Sequence, residues 1–355
     1  MYSTAIIYCE GNFGTMDGKT ANGLIRRSDK YSILGVIDST KHPGDCGFIL
    51  DGIPNGIPVF TDLDDAFRTL KSTPKYFIYG MAPASAFLTE SDRNVFKEAI
   101  KAGMDIINPL YELLNEDEEF VKLSKKHHVK IIDVRATPPR KTLSNFTGEI
   151  YQMTTPVIAI LGTDSAVGKR TTALLLEKEL QKAGFNPLFI GTGQTGIIQG
   201  AKYALAIDSN PSQYAIGELE SLVLKANEIE KPDLILVEGQ GAISHPAYIS
   251  SCIIVRGTAP RAIILQHAPK REFLGDFPFL KVPTLENEIH LIESFSSAKV
   301  IAITLNHERM TDNEINQIIC EYEDKFNIPV ADVLKQGCNK IIERIIQLFP
   351  KLKHP

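Results

Sequence analysis

The residues with the clearest chemical purpose lie in the stretch GTDSAVGKRTT, from Gly162 to Thr172. Between Gly162 and Gly168 the chain reads Thr163, Asp164, Ser165, Ala166 and Val167, and Lys169 follows. A glycine-bounded loop that opens into a helix turns its backbone N–H groups and the positive end of the helix dipole toward an anion. Lys169 adds a full charge, so a phosphate-bearing ligand is predicted here. The spacing is one residue longer than G-x-x-x-x-G-K followed by Ser or Thr. Arg170 stands where that hydroxyl would ligate the Mg²⁺ of a nucleoside triphosphate. Thr171 and Thr172 keep hydroxyl groups nearby, but a permanent guanidinium charge suits phosphate contacts better than a metal seat.

A second chemical element is LILVEGQG, an apolar run that ends in Glu238. An acid at such a strand end can hold Mg²⁺, accept a proton, or cap a neighbouring turn. Were the ligand Mg-ATP, the metal would sit among Thr171, Asp164 and Glu238. Further candidates stand beside other strand ends: Gln194 and Thr195 in GTGQTG, Gln240, His245 in GQGAISHPAY, His267 with Lys270 and Arg271 in QHAPKREF, and Asn306 in AITLN. His245 could act as a general base or donate to a phosphate, and the GTGQTG segment could clasp a second ligand or form a structural turn. Asn306 could orient a ligand or cap the next helix.

The elements that must position these residues follow from pattern. NPLFIGTG, PDLILVEG, RAIILQHAP and AKVIAITLN are apolar strands with polar residues at their C-terminal ends. In an open parallel sheet ligands sit beyond those ends, which predicts that Thr192, Gln194, Glu238, Gln240, His267 and Asn306 face one crevice. Upstream, strands and helices alternate over the first ~150 residues, the mark of a parallel α/β sheet. The segment 136–156 is rich in proline and lacks periodicity, so two domains are predicted, 1–150 and 151–355. Asp38 ends the second strand, where a dinucleotide-binding domain places its ribose acid, yet EGNFGTMDGKTANG does not satisfy G-x-G-x-x-G. Covering the crevice, or lending it Lys19, is the role favoured for this first domain over dinucleotide binding.

Composition narrows the function classes. The chain has 355 residues, 43% hydrophobic and 23% charged, with a formal net charge of -5. That balance fits a globular protein and lacks the basic excess of a dedicated nucleic-acid binder. No apolar run reaches ~18 residues, so no membrane span is expected, and the N-terminus reads as a strand rather than a signal peptide. Five scattered cysteines form no C-x-x-C pair, which points to reduced thiols in a cytoplasmic protein.

Two resemblances extend this reading. GTDSAVGK with Thr171, together with VEGQG, resembles the dethiobiotin synthetase branch of P-loop proteins, which implies an ATP- and Mg²⁺-dependent ligase or kinase. Across nearly the whole chain, GNFGTMDGKTANGLIRR, GVIDS, GTDSAVGKRTTA, GTGQTG, VEGQGAISHPAY and LNHERMT resemble a two-domain family associated with D-glutamate N-acetyltransferase. That likeness implies a Rossmann-like domain followed by a P-loop domain, acetyl-CoA as donor, a small-molecule amino-acid substrate and a homo-oligomer. One stretch, DSNPSQYAIGELE, departs from the family pattern and keeps only Asp208 and Glu218 as counterparts. On this resemblance Glu238 or His245 would deprotonate the amine, Gln240 or loop N–H groups would steady the oxyanion, and Arg271 would meet a substrate carboxylate. A nucleotide-binding protein without catalysis is the remaining alternative.

Overall fold

The structure is a computed structural model that describes residues 3–83 and 87–352. Contacts divide the chain into two compact units: residues up to Thr137 with Gln194–Ala201, and Pro138–Gly193 with the chain from Lys202 onward. The expected boundary at 150/151 lies inside the second unit.

The first unit runs β1 (Ser3–Tyr8), α1 (Lys19–Arg26), β2 (Tyr31–Ile37), β3 (Gly44–Asp45), α2 (Cys46–Asp51), β4 (Pro58–Phe60), α3 (Leu63–Leu70) and β5 (Tyr76–Tyr79). It continues through α4 (Glu90–Lys101), β6 (Asp105–Asn108), α5 (Glu118–His127) and β7 (Ile131–Asp133). The sheet order is β3-β4-β2-β1-β5-β6-β7, with only β3 antiparallel. Without that edge strand the order is the doubly wound 3-2-1-4-5-6 of nucleotide-binding sheets. Asp62 caps α3 by accepting from the Asp65 amide, and Thr89 and Asp92 form a reciprocal capping box on α4. Asp38 is fully buried. Its carboxylate accepts from the amides of Gly11 (3.1 Å), Phe13 (2.9 Å) and Thr40 (3.0 Å). The acid that could have met a ribose is therefore spent on its own β1–α1 loop.

The second unit contains β8 (Val157–Gly162), α6 (Lys169–Lys182) and β9 (Pro187–Gly191). The chain then forms α7 (Gln194–Gln199), which groups with the first unit: Gln199 Nε2 donates to the carbonyls of Gly23 (2.7 Å) and Arg27 (3.0 Å) on and after α1. It returns as β10 (Tyr203–Ala204), α8 (Ser212–Glu230), β11 (Leu234–Glu238), α9 (Ser250–Thr258), β12 (Ala262–His267) and α10 (Leu285–Phe295). The closing elements are β13 (Lys299–Leu305), α11 (Asp312–Phe326), β14 (Val330–Ala331), α12 (Val333–Gln336) and α13 (Asn339–Leu348).

This second sheet is parallel throughout, in the order β10-β9-β11-β8-β12-β13-β14. Its central strands β8, β11 and β12 are buried along their whole length. That explains their unbroken apolar runs, since helices cover both faces of a parallel sheet. Gly239 is required where β11 leaves the sheet, because a Cβ there would stand 2.1 Å from the Ile160 carbonyl oxygen. β8 lies between β11 and β12, so the loop that follows it opens at the switch point of the sheet. All five cysteines are free thiols. No helix among the described residues is long and apolar enough to cross a membrane.

Candidate functional site

The phosphate loop joins β8 to α6 at that switch point. Gly168 precedes α6 with φ +109°, a left-handed conformation that a side chain would strain. The loop is braced from beneath. Thr163 N–H donates to the Gln266 carbonyl (3.0 Å), Asn306 Nδ2 to the Val167 carbonyl (3.1 Å), and Thr172 Oγ1 to Gln266 Oε1 (2.5 Å). Lys169 is buried and its Nζ donates to the Asp164 carbonyl at 2.5 Å. Thr172 thus turns its hydroxyl into the sheet, whereas Arg170 faces the neighbouring strand end.

There Arg170 Nη1 lies 3.3 Å from Glu238 Oε1. Glu238 Oε2 accepts from the Thr192 amide (3.2 Å), Thr192 Oγ1 donates to the Glu238 carbonyl (2.8 Å), and Gln240 Nε2 donates to Thr192 Oγ1 (2.8 Å). Burial raises the Glu238 carboxyl above its ordinary value, opposed by Arg170, the Thr192 amide and Lys169. The predicted grouping of Thr192, Glu238 and Gln240 is one connected network.

On the other side of β8, Asp164 is fully buried. Its Oδ2 accepts from Arg271 Nη1 and from the Gly275 amide, each at 3.0 Å. Arg271 also clasps Glu308 through Nε (2.8 Å) and Nη2 (2.7 Å), and donates to the Ser165 carbonyl (2.8 Å). Expected to meet a substrate carboxylate, Arg271 is here engaged by two protein carboxylates. His267 Nδ1 pairs with Thr163 Oγ1 at 2.9 Å, and burial with the nearby Arg271 charge lowers its pKa to about 4. Its ring is neutral at pH 7.

His245 sits on the loop after β11. Glu288 holds that loop by accepting from the Ile243 amide (2.5 Å) and Ser244 Oγ (2.6 Å). His245 Nδ1 accepts from the Ala247 amide (3.2 Å), so the neutral ring carries its proton on Nε2. That Nε2 is buried, has no hydrogen-bond partner, and lies 3.9 Å from Asp164 Oδ1, too far for a bond. Burial lowers the pKa of the ring, against the pull of Asp164 and Asp276. In this geometry His245 offers an N–H donor, not the free lone pair of a base.

These contacts bear on a metal. Of the donors expected around Mg²⁺ (Thr171, Asp164 and Glu238), Glu238 is paired with Arg170 and Asp164 with Arg271, so both carboxylates are taken by the protein. Among the described residues no group of three or more His, Cys, Asp or Glu side chains could hold a metal. The donor set does not fit a magnesium seat.

Residues 144–342 match the DUF1611 P-loop domain, a domain of unknown function, and residues 39–137 match its Rossmann-like N-terminal domain. The chain belongs to the DUF1611 family. It is 29% identical over 301 residues to a protein named D-glutamate N-acetyltransferase from Pseudoalteromonas sp., covering 82% of this chain and 88% of that one. It is 26% identical over 277 residues to another so named from Tritonibacter scottomollicae, covering 76% and 81%. The crystal structure of a DUF1611 family protein from Anabaena variabilis superposes with a TM-score of 0.89 at 25% identity, covering 97% of this chain and 99% of that one. The family assignment agrees with the resemblance in the motifs and with the two-domain α/β architecture.

Within this DUF1611 P-loop domain, Glu238, Gln240, His267 and Asn306 all stand at or just beyond carboxyl ends of the sheet. Gln194 and Thr195 are instead grouped with the first unit, where Thr195 Oγ1 pairs with Thr20 Oγ1 at 3.0 Å. Glu218 accepts from the Ser144 amide (2.5 Å), holding the segment that precedes β8. Reading the sequence missed Glu308, Glu288 and Asp276. Each lies far along the chain, Glu288 on α10 and the other two in connecting loops, and nothing in the spacing ties it to the loop. Glu308, two residues after Asn306 in LNHERMT, had a signal of sorts: an acid just beyond the end of an apolar strand.

Proposed function

We propose that the protein is an N-acetyltransferase that transfers the acetyl group of acetyl-CoA to the amine of an acidic D-amino acid, with the donor's phosphates held by the P-loop. The observation that carries this reading is the Arg170–Glu238 pair. A guanidinium occupies the place of the metal ligand and neutralises the acid that a metal would need. The site is thereby suited to a phosphate ester bound by cations alone. The names of the two relatives support the acetyl transfer.

The reaction requires that the ammonium group lose one proton before attack, that an N–C bond form at the thioester carbonyl, and that the tetrahedral intermediate lose a second N–H proton as the C–S bond breaks and the thiolate takes up a proton. Glu238, whose burial strengthens it as a base, is assigned the first proton. Gln240 is assigned to the oxyanion of the tetrahedral intermediate, and His245 Nε2–H, beside Asp164 of the loop, to a phosphate of the donor. Arg271 holds Asp164 and Ser165 in place rather than binding the substrate, and the cationic partners of the substrate carboxylates must come from elsewhere in the chain.

The test is to supply D- and L-glutamate with acetyl-CoA or with Mg-ATP. Free thiol and N-acetylglutamate, without ADP or phosphate, are the expected products. Nucleotide cleavage without CoA release would refute the reading. Lys169→Ala should remove turnover while leaving the far-UV circular dichroism unchanged.

A further inference from the structure

The segment that follows β12 crosses the phosphate loop as a strap. Arg271 Nη1 donates to the Ser165 carbonyl, the Gly275 amide to Asp164 Oδ2 (3.0 Å), and Ser165 Oγ to Asp276 Oδ2 (3.1 Å). The strap is closed on itself. Leu274 N–H donates to the Leu280 carbonyl (2.8 Å), Leu280 N–H to Phe277 (2.9 Å), and Val282 N–H to Glu272 (3.0 Å), while Leu274 is buried beneath. Backbone this well paired fixes its side chains, yet it presents Phe279 to solvent at 75% exposure.

The exposed ring ends a run of aromatic contacts. Tyr248 stacks on His245 at 4.3 Å, His245 meets Phe277 at 5.8 Å, and Phe277 meets Phe279 edge-on at 6.0 Å and 76°. Tyr248 OH donates to the same Asp276 Oδ2 that receives the phosphate-loop serine (2.8 Å). A rigid, solvent-facing ring next to a cationic anion site has the makings of a nucleotide pocket. The loop takes the phosphates, and the ring takes a planar base, which stacks on any aromatic face.

We propose that the strap Arg271–Val282 supplies the base-binding half of the donor site, with the adenine of CoA lying on Phe279 in the corner it makes with Phe277. This deepens the acetyl-CoA reading but depends only on its phosphate-loop part. It also explains why Asp276 links the strap to Ser165: the spacing between base and phosphates is set by that bond.

The test is calorimetric titration of the full chain with two probes: pyrophosphate, which reports the loop alone, and ADP, which adds the base. The wild type is expected to bind ADP more tightly than pyrophosphate. Phe279→Ala should weaken ADP about tenfold, from the loss of one stacking contact, and change pyrophosphate less than twofold. Phe279→Trp should restore ADP binding. Equal affinities for the two probes in the wild type, or equal losses for both in Phe279→Ala, would overturn the proposal. So would unchanged ADP binding with a shift in oligomeric state, which would make Phe279 an interface residue. Should acetyl transfer fail while the ADP-specific loss holds, the transferase reading falls and the base site stands.

Discussion

Replacing Arg170 by Met removes the cation that Glu238 faces. Glu238 is 5% exposed and Arg170 20%, so water screens the 3.3 Å pair only weakly. Breaking such a pair leaves a buried charge uncompensated, at a cost of about 3–5 kcal/mol. For a domain of this size that is a fall of roughly 10 °C in Tm. Glu238→Gln should cost less, because Arg170 can still turn toward water. The double variant should recover most of the loss, giving a coupling of about 2–4 kcal/mol in the double-mutant cycle. The effect has a pH signature. The folded pKa of Glu238 is raised above its ordinary 4.5, chiefly by burial, and without Arg170 it rises further. Its charged form therefore weakens the fold as pH rises past that value. Below pH 4.5 the group is protonated in both folded and unfolded chains and needs no partner. The penalty of Arg170→Met should grow as pH rises above 4.5 and shrink as pH falls back toward it, read from urea unfolding at each pH. A coupling below ~0.5 kcal/mol, or a penalty that does not change with pH, would refute the argument that Arg170 acts as the internal counter-ion of this acid.

Other outcomes follow from the same geometry. His267 has a folded pKa of about 4 against an ordinary 6.5, so its contribution to stability is full above pH 6.5 and lost as pH falls toward 4. That gap corresponds to about 3 kcal/mol, and His267→Gln should flatten the acid limb of a Tm-against-pH curve. Since the donor set does not fit magnesium, EDTA should leave acetyl transfer unchanged; a loss restored by Mg²⁺ would count against the Arg170 reading. Asp38→Ala should destabilise the first unit by about 3 kcal/mol or more, because it orphans the amides of Gly11 and Phe13. Differential scanning calorimetry would show this as a lower transition, with acetyl-CoA turnover at permissive temperature kept.

Much of the fold was legible because parallel strands buried on both faces appear as short apolar runs. VIAILG, LILVE and AIILQH are such runs, and each is a central strand. The short β3–α2 segment was not foreseen. Two residues of antiparallel strand and a helix of under two turns leave no period to detect. The departure of α7 from the second unit was equally hidden, because GTGQTGIIQG looks like any strand-end turn until Gln199 is seen bonded to α1. At the site, strand polarity was enough to collect Thr192, Glu238, Gln240, His267 and Asn306, since β-strand ends are fixed by chain direction alone. Pairing was another matter. That Arg170 meets Glu238 follows from β11 lying directly beside β8, and that order is a tertiary fact. Arg271 offered the opposite lesson: an arginine at a strand end suggested a ligand, but Glu308, 37 residues on, had already claimed it.

The two arginines suggest one logic for the whole site. A phosphate loop that works with magnesium leaves its carboxylates free for the ion. Here Arg170 sits on Glu238 and Arg271 on Asp164, so each acid carries its own fixed counter-charge. An arginine differs from a magnesium ion in that it is tethered to the chain and carries one positive charge where the ion carries two. Such a loop can hold a phosphate ester firmly, but it lacks the mobile charge that phosphoryl transfer uses. On the reading proposed above, retaining Lys169 and the helix N-terminus while fixing the cations makes the loop a site for gripping a phosphate-bearing donor rather than for cleaving phosphate bonds.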